Sequence, residues 1–170
     1  DAPIIFTSDH GEAFGEHQIV GHANNCFDET LRIPMAIRAP GVVPRSSIAP
    51  VTLLDLGPTI CEFADIGVPS MWEGRSLVSL LTSDNSADPK RRLISFECPS
   101  TTDLLPAEFA VHQDRYKLIG SLDAEGLIVA GSLVGYDLVA DPKEANPVTQ
   151  AAPWMAGLTH AFLIRDPYDV

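Results

Sequence analysis

The run Ala2-Pro3-Ile4-Ile5-Phe6-Thr7 stops abruptly at Ser8-Asp9-His10-Gly11-Glu12. A short, nearly all-apolar stretch of β-forming residues reads as a strand buried on both faces. Its end in a polar, titratable cluster is the pattern of an α/β sheet, where sites gather just beyond the carboxyl ends of strands. A strand covered on both faces needs neighbours on either side. The sequence offers at most one, the run RIPMAIR at residues 32–38. The chain also opens on Asp1 and not on Met, so a processed chain or a piece of a longer one is expected.

The remaining elements follow from turn residues and periodicity. Residues 11–31 are polar and glycine-rich and read as a long loop, with at most a short helix near 26–31. Residues 39–50 form a proline-rich connection. The best helix runs over 55–66, with Leu53, Leu56, Ile60, Phe63 and Ala64 on one face. Asp55 is its expected N-cap, Pro58 sits in its first turn, and Gly67 followed by Pro69 ends it. One short helical turn is expected at 76–81 and a surface loop at 82–92. Short strands at 93–98, 107–112, 115–120, 127–131 and 135–138 suggest an antiparallel sheet. A last helix near 153–164 would turn Trp154, Leu158 and Phe162 inward. The expected division is 1–92, belonging to an α/β domain, and 93–170, a small antiparallel-sheet subdomain.

Composition narrows the class. With 45% hydrophobic and 20% charged residues among 170, the chain is globular in type, which excludes a disordered tail, a collagen-like repeat and a coiled coil. No apolar stretch is long enough to span a bilayer, and no basic segment followed by an apolar one opens the chain. No membrane partner is therefore expected. The formal net charge of −12 disfavours nucleic acid, whose phosphates require a basic face. Cys26, Cys61 and Cys98 stand far apart without metal-ligand spacing, and their odd number argues against a disulfide framework. They read as buried or free thiols.

The chemistry concentrates between Asp9 and Glu29. His10, His17 and His22 lie there with Asp9, Glu12, Glu16, Asp28 and Glu29. Neutral imidazole with carboxylate at a strand end suits a divalent cation. The competing interpretation is a solvated polar loop that caps a strand, and spacing alone does not separate the two.

These same residues carry a resemblance. The stretch IIFTSDHGE at 4–12, then Gly15-Glu16-His17, Gly21-His22, and Glu29-Thr30-Leu31-Arg32-Ile33-Pro34, resembles the C-terminal half of the sulfatases, members of the alkaline phosphatase superfamily. Residues 51–67 resemble that family's D-L-x-P-T helix, and Glu73-Gly74-Arg75-Ser76-Leu77 its G-x-S-L segment. Arg115-Tyr116-Lys117-Leu118-Ile119 resembles its R-Y-K strand. Tyr136-Asp137-Leu138 with Asp141-Pro142-Lys143-Glu144 and Asn146 resembles its Y-D-L-x-x-D-P-x-E-x-x-N signature. Each motif is weak alone; in the family's order they are strong together.

The resemblance implies an α/β fold, the C-terminal portion of an alkaline-phosphatase-like mixed sheet plus a small antiparallel sheet with a terminal helix. It implies a sulfuric ester hydrolase acting on a small-molecule sulfate ester. Asp9 and His10 match a pair of metal ligands, for calcium or, in some relatives, manganese. The Asp-His form is similar to choline-sulfatase-type and phosphonate monoester hydrolase-type members. His22 matches a position that contacts the sulfate and protonates the leaving oxygen, and His17 is expected in the same pocket. Arg32, Asp137 and Asp141 match structural positions. The family's nucleophile is a formylglycine made in a C/S-x-P-x-R motif, and no cysteine or serine here fits it. The implied partner is therefore an upstream N-terminal segment of the same enzyme, bearing the formylglycine and further metal ligands. Two alternatives remain: a phosphonate monoester or phosphodiester hydrolase of the same superfamily, and a non-catalytic fragment or binding module.

Overall fold

The computed structural model describes residues 2–22, 25–83, 91–97, 107–148 and 152–163. The strands are β1 (Ile4–Thr7), β2 (Ala13–Phe14), β3 (Val20–Gly21), β4 (Met35–Arg38), β5 (Arg92–Glu97), β6 (Ala107–Gln113), β7 (Tyr116–Leu122) and β8 (Val134–Asp137). The α-helices are α1 (Asp28–Leu31), α2 (Leu56–Phe63), α3 (Val78–Thr82) and α4 (Pro153–Leu163). The chain separates into two units. One holds residues 1–9 and 34–91, the other residues 10–33 and 92–169.

In the first unit β1 pairs antiparallel with β4, setting Ile5 opposite Ile37 and Phe6 opposite Ala36. Side chains alternate across the pleat, so one face turns Ile5 and Ile37 inward while Ile4 and Phe6 stay 55% and 64% exposed. The expected burial of β1 on both faces is thus met on one face only. Among the described residues β1 has a single partner strand, which occupies one edge and leaves the Ile4–Phe6 face exposed.

A 3-10 turn at Leu53–Asp55 leads into α2. Asp55 does not cap α2 as expected. It closes a capping box with Thr52, whose backbone N–H reaches its carboxylate at 2.9 Å. Arg75 N–H donates to the same group at 2.8 Å, and the Arg91 guanidinium grips both oxygens at 2.6 and 2.7 Å. The Thr59 hydroxyl accepts from Leu77 N–H at 2.9 Å. These polar anchors fix which side of α2 is covered. Pro58, Thr59 and Cys61 are buried, whereas on the face read from periodicity Leu56 and Phe63 are half-buried and Ile60 is 54% exposed. The helix stops at Asp65 (φ 54), two residues before the expected Gly67. Ile66 N–H reaches Cys61 O at 3.0 Å and Asp65 N–H reaches Glu62 O at 3.2 Å, the pairing of a Schellman stop.

The second unit is built on an antiparallel sheet in the order β5-β6-β7-β8. Val111 lies opposite Leu118, and His112 opposite Lys117. The two faces carry different cores. Phe109, Val111 and Leu118 pack beneath Met155 and Leu158 of α4. Ala110, Ile119 and Tyr136 face the other way and are covered by Cys26, Phe27 and Leu31. Full burial of a Phe, Val or Leu side chain is worth about 1.5–3 kcal/mol, so α4 and the 25–31 segment are both held by substantial apolar contact. Trp154 stacks on Tyr116 at 4.6 Å. The side chain of Phe162 lies outside the described residues.

Residues 127–131 do not form the expected strand. They make one bridge, Leu122 to Ile128, because Asp123 folds the chain back by accepting Glu125 and Leu127 N–H at 3.1 and 2.8 Å. Residues 10–33 are more ordered than the expected loop: they contain the β2–β3 hairpin, a 3-10 turn at Glu16–Gln18, and α1. Cys26 and Cys61 are both buried. Cys98, most of the expected 82–92 loop and the far end of the last helix lie outside the described residues. Among the described residues no helix is long and apolar enough to cross a membrane.

Candidate active-site loop

Glycine geometry shapes the loop that follows β1. Gly15 and Gly21 adopt φ values of 121° and 106°, open to glycine and strained for other residues. Gly11 is needed for a different reason. A Cβ there would sit 2.1 Å from the Glu29 carbonyl oxygen, so only glycine lets this strand end run against α1. Gly11 N–H also donates to Thr30 O at 2.8 Å.

Asp9 closes the first unit and is exposed; His10 opens the second and is also exposed. His10 Nδ1 lies 2.8 Å from Gly11 O. A carbonyl oxygen only accepts, so Nδ1 carries a proton, and in the neutral ring the lone pair is then on Nε2. That is the tautomer a metal-binding histidine adopts when its other nitrogen is fixed by a backbone carbonyl. The His10 ring stacks on His22 with centroids 4.0 Å apart and planes 25° from parallel. His22 Nδ1 in turn lies 3.2 Å from Glu12 Oε2. Three titratable groups, His10, Glu12 and His22, are thereby gathered along one edge of the loop. Among the described residues no three His, Cys, Asp or Glu side chains converge on a metal-sized point.

His17 stands apart from that group. Its Nδ1 lies 2.6 Å from Glu29 Oε1 and its Nε2 lies 3.0 Å from the Glu144 carbonyl. Its ring is stacked on Phe27 at 3.7 Å, almost parallel. The partial burial of His17 works against a charge, but the hydrogen bonds to Glu29 and Glu144 and their negative potential outweigh it and hold its pKa above the ordinary value.

Beneath the loop lies an ion network on the sheet. Lys117 Nζ sits 2.7 Å from Asp28 Oδ1 and 2.7 Å from Glu144 Oε1. The Glu144 contact is an ion pair, not a well-directed hydrogen bond. Glu144 Oε2 accepts Asp28 N–H at 2.7 Å. Both Lys117 and Glu144 side chains are 1% exposed. Burial pushes the Glu144 carboxyl upward, and Lys117 opposes that. Burial also lowers His112, whose ring feels both Asp28 and Lys117. Nearby, Glu108 accepts Cys26 N–H at 2.6 Å. The Y-D-L…D-P-x-E segment is stiffened by its own acids. Asp137 pairs with Arg115 at 2.7 and 2.5 Å, and Asp141 accepts Ala145 and Asn146 N–H at 3.1 and 2.7 Å.

The family model for N-sulphoglucosamine sulphohydrolase, C-terminal, matches residues 15–161. The chain belongs to the sulfatases, corresponding to their C-terminal part. It is 36% identical over 148 residues to the uncharacterized sulfatase YidJ of Escherichia coli (strain K12), spanning 84% of this chain and 27% of that protein. It is 30% identical over 154 residues to the choline-sulfatase of Rhizobium meliloti (strain 1021), spanning 88% of this chain and 27% of that one. A putative sulfatase structure from Bacteroides thetaiotaomicron superposes with a TM-score of 0.77 at 24% identity, over 98% of this chain and 35% of the other. The chain thus spans about a third or less of the relatives it matches, and shares their fold in that part.

Several members of this sulfatase network were not singled out by sequence reasoning. In the sequence Lys117 stands out only as part of the R-Y-K motif, although a lysine in a strand of otherwise apolar inward positions signals a buried charge that must be paired. Glu144 and Asp28 were visible as acids but not as its partners. Glu12 and Glu29 were seen in the cluster without a role.

Proposed function

We propose that this chain supplies the C-terminal part of the active site of a metal-dependent sulfuric ester hydrolase acting on a small-molecule sulfate monoester. The observation that carries the proposal is the His10–His22 pair. One imidazole has its Nδ1 proton tied to a carbonyl, as a metal ligand requires, and a second lies stacked against it. Asp9 and His10 are assigned as ligands of a divalent cation, calcium first, with manganese as the alternative an imidazole ligand accommodates. The donor chemistry, one carboxylate and one imidazole without thiolate, fits such an ion. Two ligands do not complete a shell, so the remainder would come from an upstream N-terminal segment of the same enzyme. When present, the cation supplies charge neutralisation for the sulfate oxygens and the formylglycine of that segment supplies the nucleophile.

This chain's own part is proton delivery and placement. As the sulfur–oxygen bond to the alcohol breaks, negative charge grows on the leaving oxygen. His22, oriented by Glu12, donates a proton there or neutralises the charge by proximity. His17 bears on the reaction through the loop it fastens.

The test is hydrolysis by the full-length enzyme, metal-loaded, of an alkyl sulfate, 4-nitrophenyl sulfate and a phenylphosphonate monoester. Sulfate esters should be turned over faster than the phosphonate, and Asp9→Ala and His10→Ala should abolish turnover and metal retention together. Faster phosphonate cleavage would favour the phosphonate-hydrolase alternative. Metal retention unaffected by both variants would remove the ligand assignment.

A further inference from the structure

Both ring nitrogens of His17 point at oxygens that only accept: a Glu29 carboxylate oxygen at 2.6 Å and the Glu144 carbonyl at 3.0 Å. A neutral imidazole has one N–H, so it can satisfy one of these acceptors and must turn a lone pair toward the other. An imidazolium satisfies both. The backbone is bent to make this contact: His17 and Gln18 lie at φ 50° and 62°, a region non-glycine residues seldom occupy. Local bonds close the turn, Gly15 N–H to Ile19 O at 2.9 Å and Ile19 N–H to Glu16 O at 2.8 Å, and the two His17 hydrogen bonds and the stack on Phe27 tie it to the rest of the unit.

We propose that His17 is a positioning residue that works as a proton-dependent clasp, fastening the turn between β2 and β3 to α1 and to the 141–146 turn while protonated and releasing it on deprotonation. The groups that face it make the charged form favourable. Glu29 comes from α1, Asp141 and Glu144 from the turn after β8, and Glu16 from its own turn; Lys117 of β7 lies beyond Glu144, partnered with Asp28. The negative potential of four carboxylates thus favours the charged ring, and Lys117 is already held between Glu144 and Asp28. The sign follows from linkage. The folded form binds the His17 proton more tightly than an open loop does, so the clasp is at full strength below about pH 6.5, the ordinary histidine value. It weakens as pH rises through the higher folded value.

Glu12 immediately precedes β2 and His22 immediately follows β3, the strands on either side of this turn. An open clasp therefore frees the residue assigned above to proton delivery, and that clause alone rests on the proposed hydrolase activity.

The experiment is NMR on the full chain without substrate, between pH 6 and 9. The ring nitrogen shifts of His17 should report two N–H groups at pH 6, with a midpoint above the ordinary histidine value. Hydrogen-exchange protection of the Ile19 and Asp28 amides should fall by up to about tenfold per pH unit between the ordinary histidine value and that midpoint, and level off above it. Protection of Val111 and Leu118 in the sheet should not change. Glu29→Gln keeps an acceptor and removes the charge, so the His17 midpoint and the loss of protection should both move to lower pH. His17→Gln should lower the protection of Ile19 and make it insensitive to pH. A singly protonated ring at pH 6, a midpoint at or below the ordinary value, or loop protection indifferent to pH in the unaltered chain would overturn the clasp. None of these readouts involves turnover. A clasp that titrates in an enzyme that fails to hydrolyse sulfate esters leaves this inference standing and removes the hydrolase reading; turnover with an inert His17 does the reverse.

Discussion

Replacing Lys117 by Met should be among the most damaging single changes in the second unit, and its damage should depend on pH in a specified direction. The ammonium is the counter-ion of Glu144, and both side chains are 1% exposed. Methionine has similar length and fills the space, so loss of packing is small. What remains is a buried carboxylate without its cation. Removing one partner of a buried pair costs about 3–5 kcal/mol. Asp28 adds little, since at 31% exposure it keeps its water. Glu144 already has a raised pKa from burial, and Lys117 is what opposes the rise. Without it, the folded value climbs further above the unfolded value of about 4.3. A group with a raised folded pKa contributes most stability at low pH and loses it as pH rises. The deficit of the variant relative to the unaltered protein should therefore shrink on going from pH 7.5 to pH 5.5. His112 acts in the same sense, because Lys117 is one of the causes that lower it. Urea unfolding at several pH values, with unchanged slope, measures the deficit. Adding Glu144→Gln to the variant should recover part of the loss and flatten most of its pH dependence. A deficit below about 1 kcal/mol, or one that does not shrink toward pH 5.5, would refute the reasoning, because a buried, uncompensated charge cannot behave so.

Asp55→Asn should destabilise the first unit by about 3–5 kcal/mol in thermal or urea unfolding, since Arg91 would be left 12% exposed without its carboxylate. Burial raises the Asp55 pKa, but Arg91 and the Arg75 and Thr52 N–H groups lower it further, and the net is a depressed value. Its contribution is present above the unfolded value of about 3.9 and is lost as pH falls through the folded one, so the variant should show a shallower loss of stability on acidification. Gly11→Ala places a Cβ 2.1 Å from the Glu29 carbonyl oxygen, a backbone atom that cannot step aside, and should cost about 1–3 kcal/mol or more while loosening Thr30 amide exchange. His22→Ala in the full-length enzyme should lower kcat for an alkyl sulfate by about 10²–10⁴-fold and for 4-nitrophenyl sulfate by much less, because a good leaving group needs no proton. Equal losses on both substrates would remove the proton-donor role.

What sequence shows of this protein and what it hides divide along a physical line. The meander was legible because alternation and turn residues are local. β6, β7 and β8 lie within a residue or two of the expected runs, and β5 starts one residue early. The failures occur where side-chain hydrogen bonds decide. Asp123 caught the chain before residues 127–131 could become a strand. On α2, hydrophobic periodicity named one face and buried polar anchors chose another. The strong helix-stop signal of Gly67 was pre-empted by Asp65, which took the left-handed position itself. For the candidate site, the acids and imidazoles were visible as a dense cluster, but their division of labour was not. Glu12 meets His22 and Glu29 meets His17 only because the β2–β3 hairpin folds back, and residue spacing does not encode that pairing.

The partition of the chain ties the D-P-x-E segment to histidines far from it in sequence. Residues 10–33 fold with the C-terminal sheet and not with the strand that precedes them. The link is Glu144, used three ways at once. Its carbonyl accepts from His17, one carboxylate oxygen pairs with Lys117, and the other accepts the first N–H of α1. It adopts φ 51°, a left-handed position, so that its main chain and side chain can face the loop together. Asp141 holds that turn through Ala145 and Asn146, and Asp137 holds its approach through Arg115. The small sheet thereby acts as the platform of the loop bearing His10 and His22. A substitution at Glu144 that preserves the sheet should still disturb the His17 ring and the α1 terminus together, and a chemical-shift map of Glu144→Gln confined to the sheet would contradict this account.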